Sequence, residues 1–227
     1  EAFIHASTHN DAKVNVRWID TESLESKKNP NGEFDDIHGI LIPGGFGNRG
    51  IEGKIMSTQY ARENKIPFFG ICLGMQCAVI EYARNVCSLK GANSTEFNSK
   101  TAHPVIDIML DQKNITHKGA TMRLGSYNCE LNKDTLIYKS YKERKIKERH
   151  RHRYEFNNKY LKQMQNKDLI IGGVNKKLNL VETIELKNHP WFIGVQFHPE
   201  LKSRVMKTHP LFNSFIKSAI KYSNALK

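Results

Sequence analysis

Apolar residues in this chain fall into short blocks, and the spacing within each block predicts an element. Val14–Ile19 (VNVRWI) alternates apolar and polar side chains, the period of a strand with one buried face. Ile37–Pro43 (IHGILIP) and Phe68–Cys72 (FFGIC) are continuous apolar runs beside glycines, the pattern of strands buried on both faces of a parallel sheet. Each is followed by a stretch with helical character, Glu52–Asn64 and Met75–Val86. Polar Ser26–Asp36, with Asn29-Pro30-Asn31-Gly32, reads as a surface loop. Strand, helix, strand, helix is the order of a doubly wound α/β domain. The second half is less regular. His103–Leu110 reads as a strand, Asp111–Gly119 as a loop, and the basic stretch Leu136–Arg149 as helical. Leu169–Val174, Leu180–Leu186 and Trp191–Phe197 read as strands. His209–Tyr222 closes the chain as an amphipathic helix with Leu211, Phe212, Phe215, Ile216 and Ile220 on one face.

Composition narrows the class. The 227 residues are 39% hydrophobic and 26% charged, which suits a globular core and argues against wholesale disorder. No apolar run approaches the ~20 residues of a membrane span, and no signal peptide is visible. The chain opens at Glu1 rather than Met and reads as a piece of a longer protein. Lys and Arg number 35 against 23 Asp and Glu, a net charge of +12. That charge permits binding of nucleic acid or other anions. Much of the excess, however, is lysine scattered among asparagine, as compositional bias also produces. Cys72, Cys77, Cys87 and Cys129 form neither a CxxC pair nor a zinc-finger grouping. Few, irregular cysteines suit a reducing, cytoplasmic compartment and a chemistry built on a single thiol.

The sharpest local signal is Gly70-Ile71-Cys72-Leu73-Gly74, a G-x-C-x-G turn between a buried strand and a helix. Such an elbow forces its central residue into strained geometry, which the flanking glycines make room for. It sets the sulfur at a helix N-terminus, which favours thiolate, and aims the Leu73 amide where an oxyanion would form. The same residues also suit a buried structural cysteine beside packing glycines. A thiolate catalyst needs a base, and Val195-Gln-Phe-His198-Pro-Glu200 offers one at a strand end. In extended chain His198 and Glu200 share a face, so the carboxylate can fix the imidazole tautomer. Pro43-Gly44-Gly45-Phe46-Gly47 follows the neighbouring strand and can offer backbone N–H groups to a ligand. It is no Walker A loop: Gly47 to Gly53-Lys54 has one residue too many between the glycines, and Ile55 stands in place of the hydroxyl.

PGGFG (43–47), GICLGMQ (70–76) and FHPE (197–200), in this order and spacing, resemble a class I glutamine amidotransferase. GANSTEF (91–97), HPVI (103–106), TMRLG (121–125), ERHRHRYE (148–155) and HPWF (189–192) extend the likeness over nearly the whole chain. Together they are similar to the C-terminal glutaminase domains of the CTP synthase family. The resemblance implies a three-layer α/β fold with a central, mostly parallel sheet, one glutaminase domain over residues 1–227, and an N-terminal synthetase domain outside this chain. It implies glutamine hydrolysis with Cys72 as nucleophile, His198 as acid and base, and Glu200 as its orienter. Gly44, Gly45 and Leu73 would form the oxyanion hole. Gly45, Phe46, Leu73, Gln76, Glu96, Arg153 and Tyr154 would bind L-glutamine, with Arg153 on its carboxylate and Glu96 on its ammonium. Gly47–Gly53 resembles the family's segment implicated in activation by GTP, with Arg49 and Glu52 as candidates. No metal or cofactor is implied in this part; ATP, UTP and Mg²⁺ belong to the synthetase domain. The expected partners are that domain and further copies in a homo-oligomer, not nucleic acid or membrane. One departure is Lys202-Ser-Arg204-Val205, where many relatives carry Phe-x-Ser-Arg-Pro or similar.

Overall fold

The computed structural model describes residues 1–27, 31–108 and 122–226. Its first half runs α1 (Ala2–His9), α2 (Thr21–Glu25), β1 (Ile40–Ile42), α3 (Ile51–Glu63), β2 (Phe68–Ile71), α4 (Leu73–Asn85), β3 (Asn93–Ser94) and β4 (Pro104–Ile108). The second half runs β5 (Arg123–Leu131), α5 (Leu136–Tyr141), β6 (Lys145–His152), β7 (Tyr154–Phe156), α6 (Leu161–Gln165), β8 (Leu169–Asn175), β9 (Leu180–Leu186), β10 (Phe192–Val195) and α7 (Pro210–Ala225). Seven strands form one sheet in the order β1-β2-β10-β9-β8-β5-β6, and β3-β4-β7 form a second, small sheet.

The α/β class is the expected one. Parallel pairing joins β1, β2 and β10, with Gly70 level with Ile42 on one side and Gly194 on the other. From β10 through β9, β8 and β5 to β6 every neighbour is antiparallel, so the sheet is mixed. The parallel strands matter most for the site. Their carboxyl ends share one edge, and the segments leaving that edge carry Gly44, Cys72 and His198.

Alternation along β2 builds two cores. Phe68 faces α3 and α4, stacking on Phe192 at 4.4 Å between ring centroids. Phe69 and Ile71 face α1 and α7, with Phe69 edge-on to Trp191 and Phe212. Phe68 and Phe69 are fully buried, each contributing about 2–3 kcal/mol of apolar transfer. The amphipathic closing helix is α7, whose N-cap His209 accepts the Leu211 N–H and which buries Leu211, Phe212, Phe215 and Ile216.

Two expectations change, and one strand was not expected. Val14–Ile19 pairs with no strand among the described residues. Trp18 is 87% exposed, and Arg17 is tied to the Asp35 carbonyl instead. Leu136–Arg149 is not one helix. Its helical part, α5, stops where Lys142 turns left-handed (φ 59°), and the basic residues beyond it enter strand β6. Strand β5, which periodicity did not predict, pairs with β6 along its whole length. The loop expected at Asp111–Gly119 lies outside the described residues, as do Met109, Leu110 and Thr121.

Candidate active site

Cys72 sits between β2 and α4 with φ 51° and ψ −101°, a left-handed conformation that a side chain rarely adopts. Its two glycines have separate reasons. A Cβ on Gly70 would come within 2.7 Å of the Gly74 backbone, and one on Gly74 within 2.2 Å of the Ile42 carbonyl oxygen. The turn is therefore clamped between its own helix and strand β1, and the strain in Cys72 cannot relax. Its thiol is 2% exposed, and burial pushes it up to about 12. The carboxylates of Glu200, Glu155 and Glu96 add to that, while the Leu73 N–H works against it. The helix N-terminus thus acts in the expected direction through Leu73, but burial outweighs it. The resting sulfur is a thiol that needs a base.

His198 is the residue expected to serve as that base. Its backbone N–H donates to the Arg149 carbonyl at 2.8 Å, which pins the residue to β6. Its Nδ1 lies 2.6 Å from Glu200 Oε1. The carboxylate holds the proton on Nδ1, leaving Nε2 as the basic nitrogen. Nε2 is buried and without a hydrogen-bond partner among the described residues. The pair does not form along an extended chain, as the sequence suggested. Pro199–Lys202 is a 3-10 turn, and the turn folds Glu200 back onto the ring. Gly44 lets His198 and Cys72 approach one point. A Cβ there would lie 2.6 Å from His198 Cε1 and 3.5 Å from Cys72 Cβ, so only glycine lets both side chains close on this point. Gly45 faces Leu73, whose Cδ2 a Cβ would meet at 3.0 Å.

Several of the residues expected to bind glutamine interact with one another. Glu96 Oε1 accepts the Gly47 N–H at 3.1 Å, tying the glycine segment to the small-sheet side. Burial raises the Glu96 carboxyl, opposed by that N–H and by the charge of Arg153. Arg153 has a buried Nε without a partner among the described residues. Burial, reinforced by Glu96, raises the Tyr154 hydroxyl. Phe46 is 54% exposed and stands beneath the Arg151 guanidinium, 5.8 Å from its ring centroid. Gln76, one turn into α4, is buried and donates from Nε2 to the Tyr154 carbonyl (3.1 Å) and to Gln196 Oε1 (3.3 Å). Arg49 and Glu52 are both engaged in ion pairs, Arg49 with Glu22 and Glu52 with Arg84 at 2.7 Å.

Motif by motif, the sequence did not disclose what stands behind Cys72 and His198. Along β6 the side chains alternate, with Ile146, Glu148, His150 and His152 buried and Lys145, Lys147, Arg149 and Arg151 exposed. The Arg149 carbonyl holds His198, and the Arg151 carbonyl lies 4.0 Å from Cys72 Sγ. The inward histidines meet at 2.9 Å, Nδ1 of His150 to Nε2 of His152. Beside them Arg123 of β5 bridges Glu155 (2.9 Å) and Glu182 (2.8 Å), all three buried. Burial holds His150 and His152 neutral, with His150 down at about 2, and pushes Glu155 up to about 8. The Arg-His alternation was the available signal. Gln196, fully buried two residues before His198, was also missed. Among the described residues no His, Cys, Asp or Glu group is placed to hold a metal ion, and no helix is long and apolar enough to cross a membrane.

The model of the glutamine amidotransferase class-I family matches residues 1–218. The CTP synthase of Clostridium acetobutylicum is 58% identical over 96% of this chain, and that of Cytophaga hutchinsonii 57% identical over all of it. The chain spans only 41–42% of the length of those relatives. Among solved structures, the glutaminase domain of Trypanosoma brucei CTP synthase with bound acivicin superposes with a TM-score of 0.91. It is 38% identical, and the match covers 97% of this chain and 86% of that one. A putative GMP synthase subunit from Thermoplasma acidophilum, 16% identical at a TM-score of 0.57, shares the fold. Matched along nearly its whole length by family model and solved structure alike, the chain belongs to the class-I glutamine amidotransferases and, within them, to the glutaminase domains of CTP synthases.

Proposed function

We propose that this chain hydrolyses L-glutamine to glutamate and ammonia at Cys72 through a γ-glutamyl thioester. The observation that carries this reading is the meeting of three groups at Gly44: the strained Cys72 turn, the imidazole of His198, and the Glu200 carboxylate 2.6 Å behind it.

His198 Nε2 takes the thiol proton as the sulfur attacks the side-chain carbonyl carbon of glutamine. A C–S bond forms, and the carbonyl electron pair moves to oxygen. That oxyanion faces the Leu73 N–H and the Gly44–Gly45 turn, each well-aimed donor being worth about 3–4 kcal/mol in the transition state. The imidazolium, stabilised by Glu200, gives its proton to the departing nitrogen, and ammonia leaves. A water molecule, deprotonated by the same histidine, then attacks the thioester and regenerates the thiol. Arg153 and Glu96 fix the substrate's α-carboxylate and ammonium, and the orphaned Nε of Arg153 supports that role. With both Nε2 protons of Gln76 engaged by protein, its Oε1 is the atom left to meet the substrate amide.

By the length of its relatives, the ammonia passes to a synthetase domain of the same polypeptide, which binds ATP, UTP and Mg²⁺ and makes CTP. GTP activation through Arg49 and Glu52, a homo-oligomeric full-length enzyme and a cytoplasmic location complete the proposal. Activation would require the Arg49–Glu22 and Glu52–Arg84 pairs to open. Ammonia release from glutamine by this chain, against a Cys72→Ala control, tests the core of the reading. Turnover lost in the variant is expected; turnover retained there would overturn it.

A further inference from the structure

We propose that Gln196 is a catalytic residue, its side-chain amide donating to Cys72 Sγ and stabilising the negative charge the sulfur takes on as its proton leaves. This rests on Cys72 being the nucleophile. Gln196 Nε2 lies 3.7 Å from Sγ, within reach of a sulfur acceptor. Its orientation is set from a distance. The Tyr154 carbonyl can only accept, so the Gln76 group facing it at 3.1 Å is Nε2. That same Nε2 meets the Gln196 amide at 3.3 Å, which selects Oε1 on that side. Nε2 of Gln196 is thereby turned toward the sulfur. His152 Nδ1 also reaches the Tyr154 carbonyl, at 3.2 Å, so the relay is anchored in β6 and β7. The backbone of Gln196 is held too, its N–H donating to the Glu182 carbonyl at 2.8 Å.

The thiol needs such a donor. Cys72 is buried, and the carboxylates of Glu200, Glu155 and Glu96 oppose a negative charge there. Leu73 supplies a backbone N–H, and Gln196 adds a side-chain N–H to the same sulfur. The Arg151 carbonyl, 4.0 Å from Sγ on another side, accepts the thiol proton in the resting state and loses that partner on ionisation. The amide donor strengthens as charge develops on sulfur, because hydrogen bonds to ionised acceptors are roughly twice as strong as neutral ones.

The test is the pH dependence of Cys72 alkylation by iodoacetamide, read by peptide mass spectrometry, in wild type, Gln196→Met and Gln196→Glu. Near-ultraviolet circular dichroism confirms that each is native, and either variant alone suffices if the other fails to fold. Loss of the donor is expected to slow Cys72 alkylation at pH 8 by about 10-fold or more. A glutamate at this position regains a donor when protonated, so the deficit of Gln196→Glu widens as pH rises. A structural role would give no such trend. Alkylation of Cys72 unchanged in a native variant would overturn the proposal even if hydrolysis were lost. Failure of the nucleophile reading itself shows separately, as ammonia release retained in Cys72→Ala.

Discussion

At the scale of single residues, Cys72 and His198 both close on Gly44, where a side chain has no room. Gly44→Ala places a methyl carbon 2.6 Å from His198 Cε1. The imidazole is the freer of the two neighbours and rotates off Nε2 alignment. Hydrolysis is expected to fall about 100-fold, the order that misplacing a catalytic group by about 1 Å costs. Thermal stability should change little, because the collision is with a side chain rather than with backbone. Steady-state kinetics beside a melting curve separates the two. A variant that keeps wild-type turnover would mean that the two side chains need not close on this point.

At the scale of elements, β5, β6, β7 and β9 gather a buried polar cluster beside the proposed catalytic residues Cys72 and His198. Arg123, Glu155, Glu182, His150 and His152 are buried together, with Tyr127 stacked against the Arg123 guanidinium at 4.5 Å. Burial raises the Glu155 carboxyl from an ordinary 4.5 to about 8, so the folded state binds a proton that the unfolded chain releases. This contribution to stability is complete below about pH 4.5 and is lost as pH rises through about 8. His150 acts in the opposite direction. Held neutral down to about 2, it destabilises the fold as pH falls below 6.5. From pH 6.5 to 8 the carboxyl therefore dominates, and the melting temperature should decline. Glu155→Gln should flatten that decline, as melts across the window would reveal; an unchanged slope would remove Glu155 as its cause.

The same cluster explains what the sequence concealed. Strands β1, β2 and β10 and helix α7 were legible because their buried faces are apolar. The elbow was legible because its glycines are required sterically. Strand β6 carries a clean two-residue period, but its inward positions are Ile, Glu, His and His, so charge hid the alternation and a helix was read instead. In β5 the inward Arg123 and Tyr127 had the same effect. Val14–Ile19 failed the other way: the period is present, yet the strand has no partner among the described residues and leaves Trp18 exposed. Glu200 reached His198 through a turn whose geometry spacing alone did not specify.

On the scale of the whole molecule, two cores flank one sheet, and the parallel strands deliver three separated segments to one edge. The antiparallel half extends the sheet to β6, whose backbone touches both Cys72 and His198. A site assembled from residues 44 to 200 depends on the entire domain being folded. The chain covers about two fifths of its relatives' length. With glutamine, ATP, UTP and Mg²⁺ it should yield free ammonia and no CTP, by ammonia assay and nucleotide chromatography; CTP formation would contradict the assignment of synthesis to a separate domain. The most direct measurement is mass spectrometry of the chain after reaction with an electrophilic glutamine analogue. One adduct per chain, on Cys72 and suppressed by excess glutamine, is the result this account predicts. An adduct on Cys77, Cys87 or Cys129 instead, or labelling of Cys72 that glutamine does not protect, would contradict it.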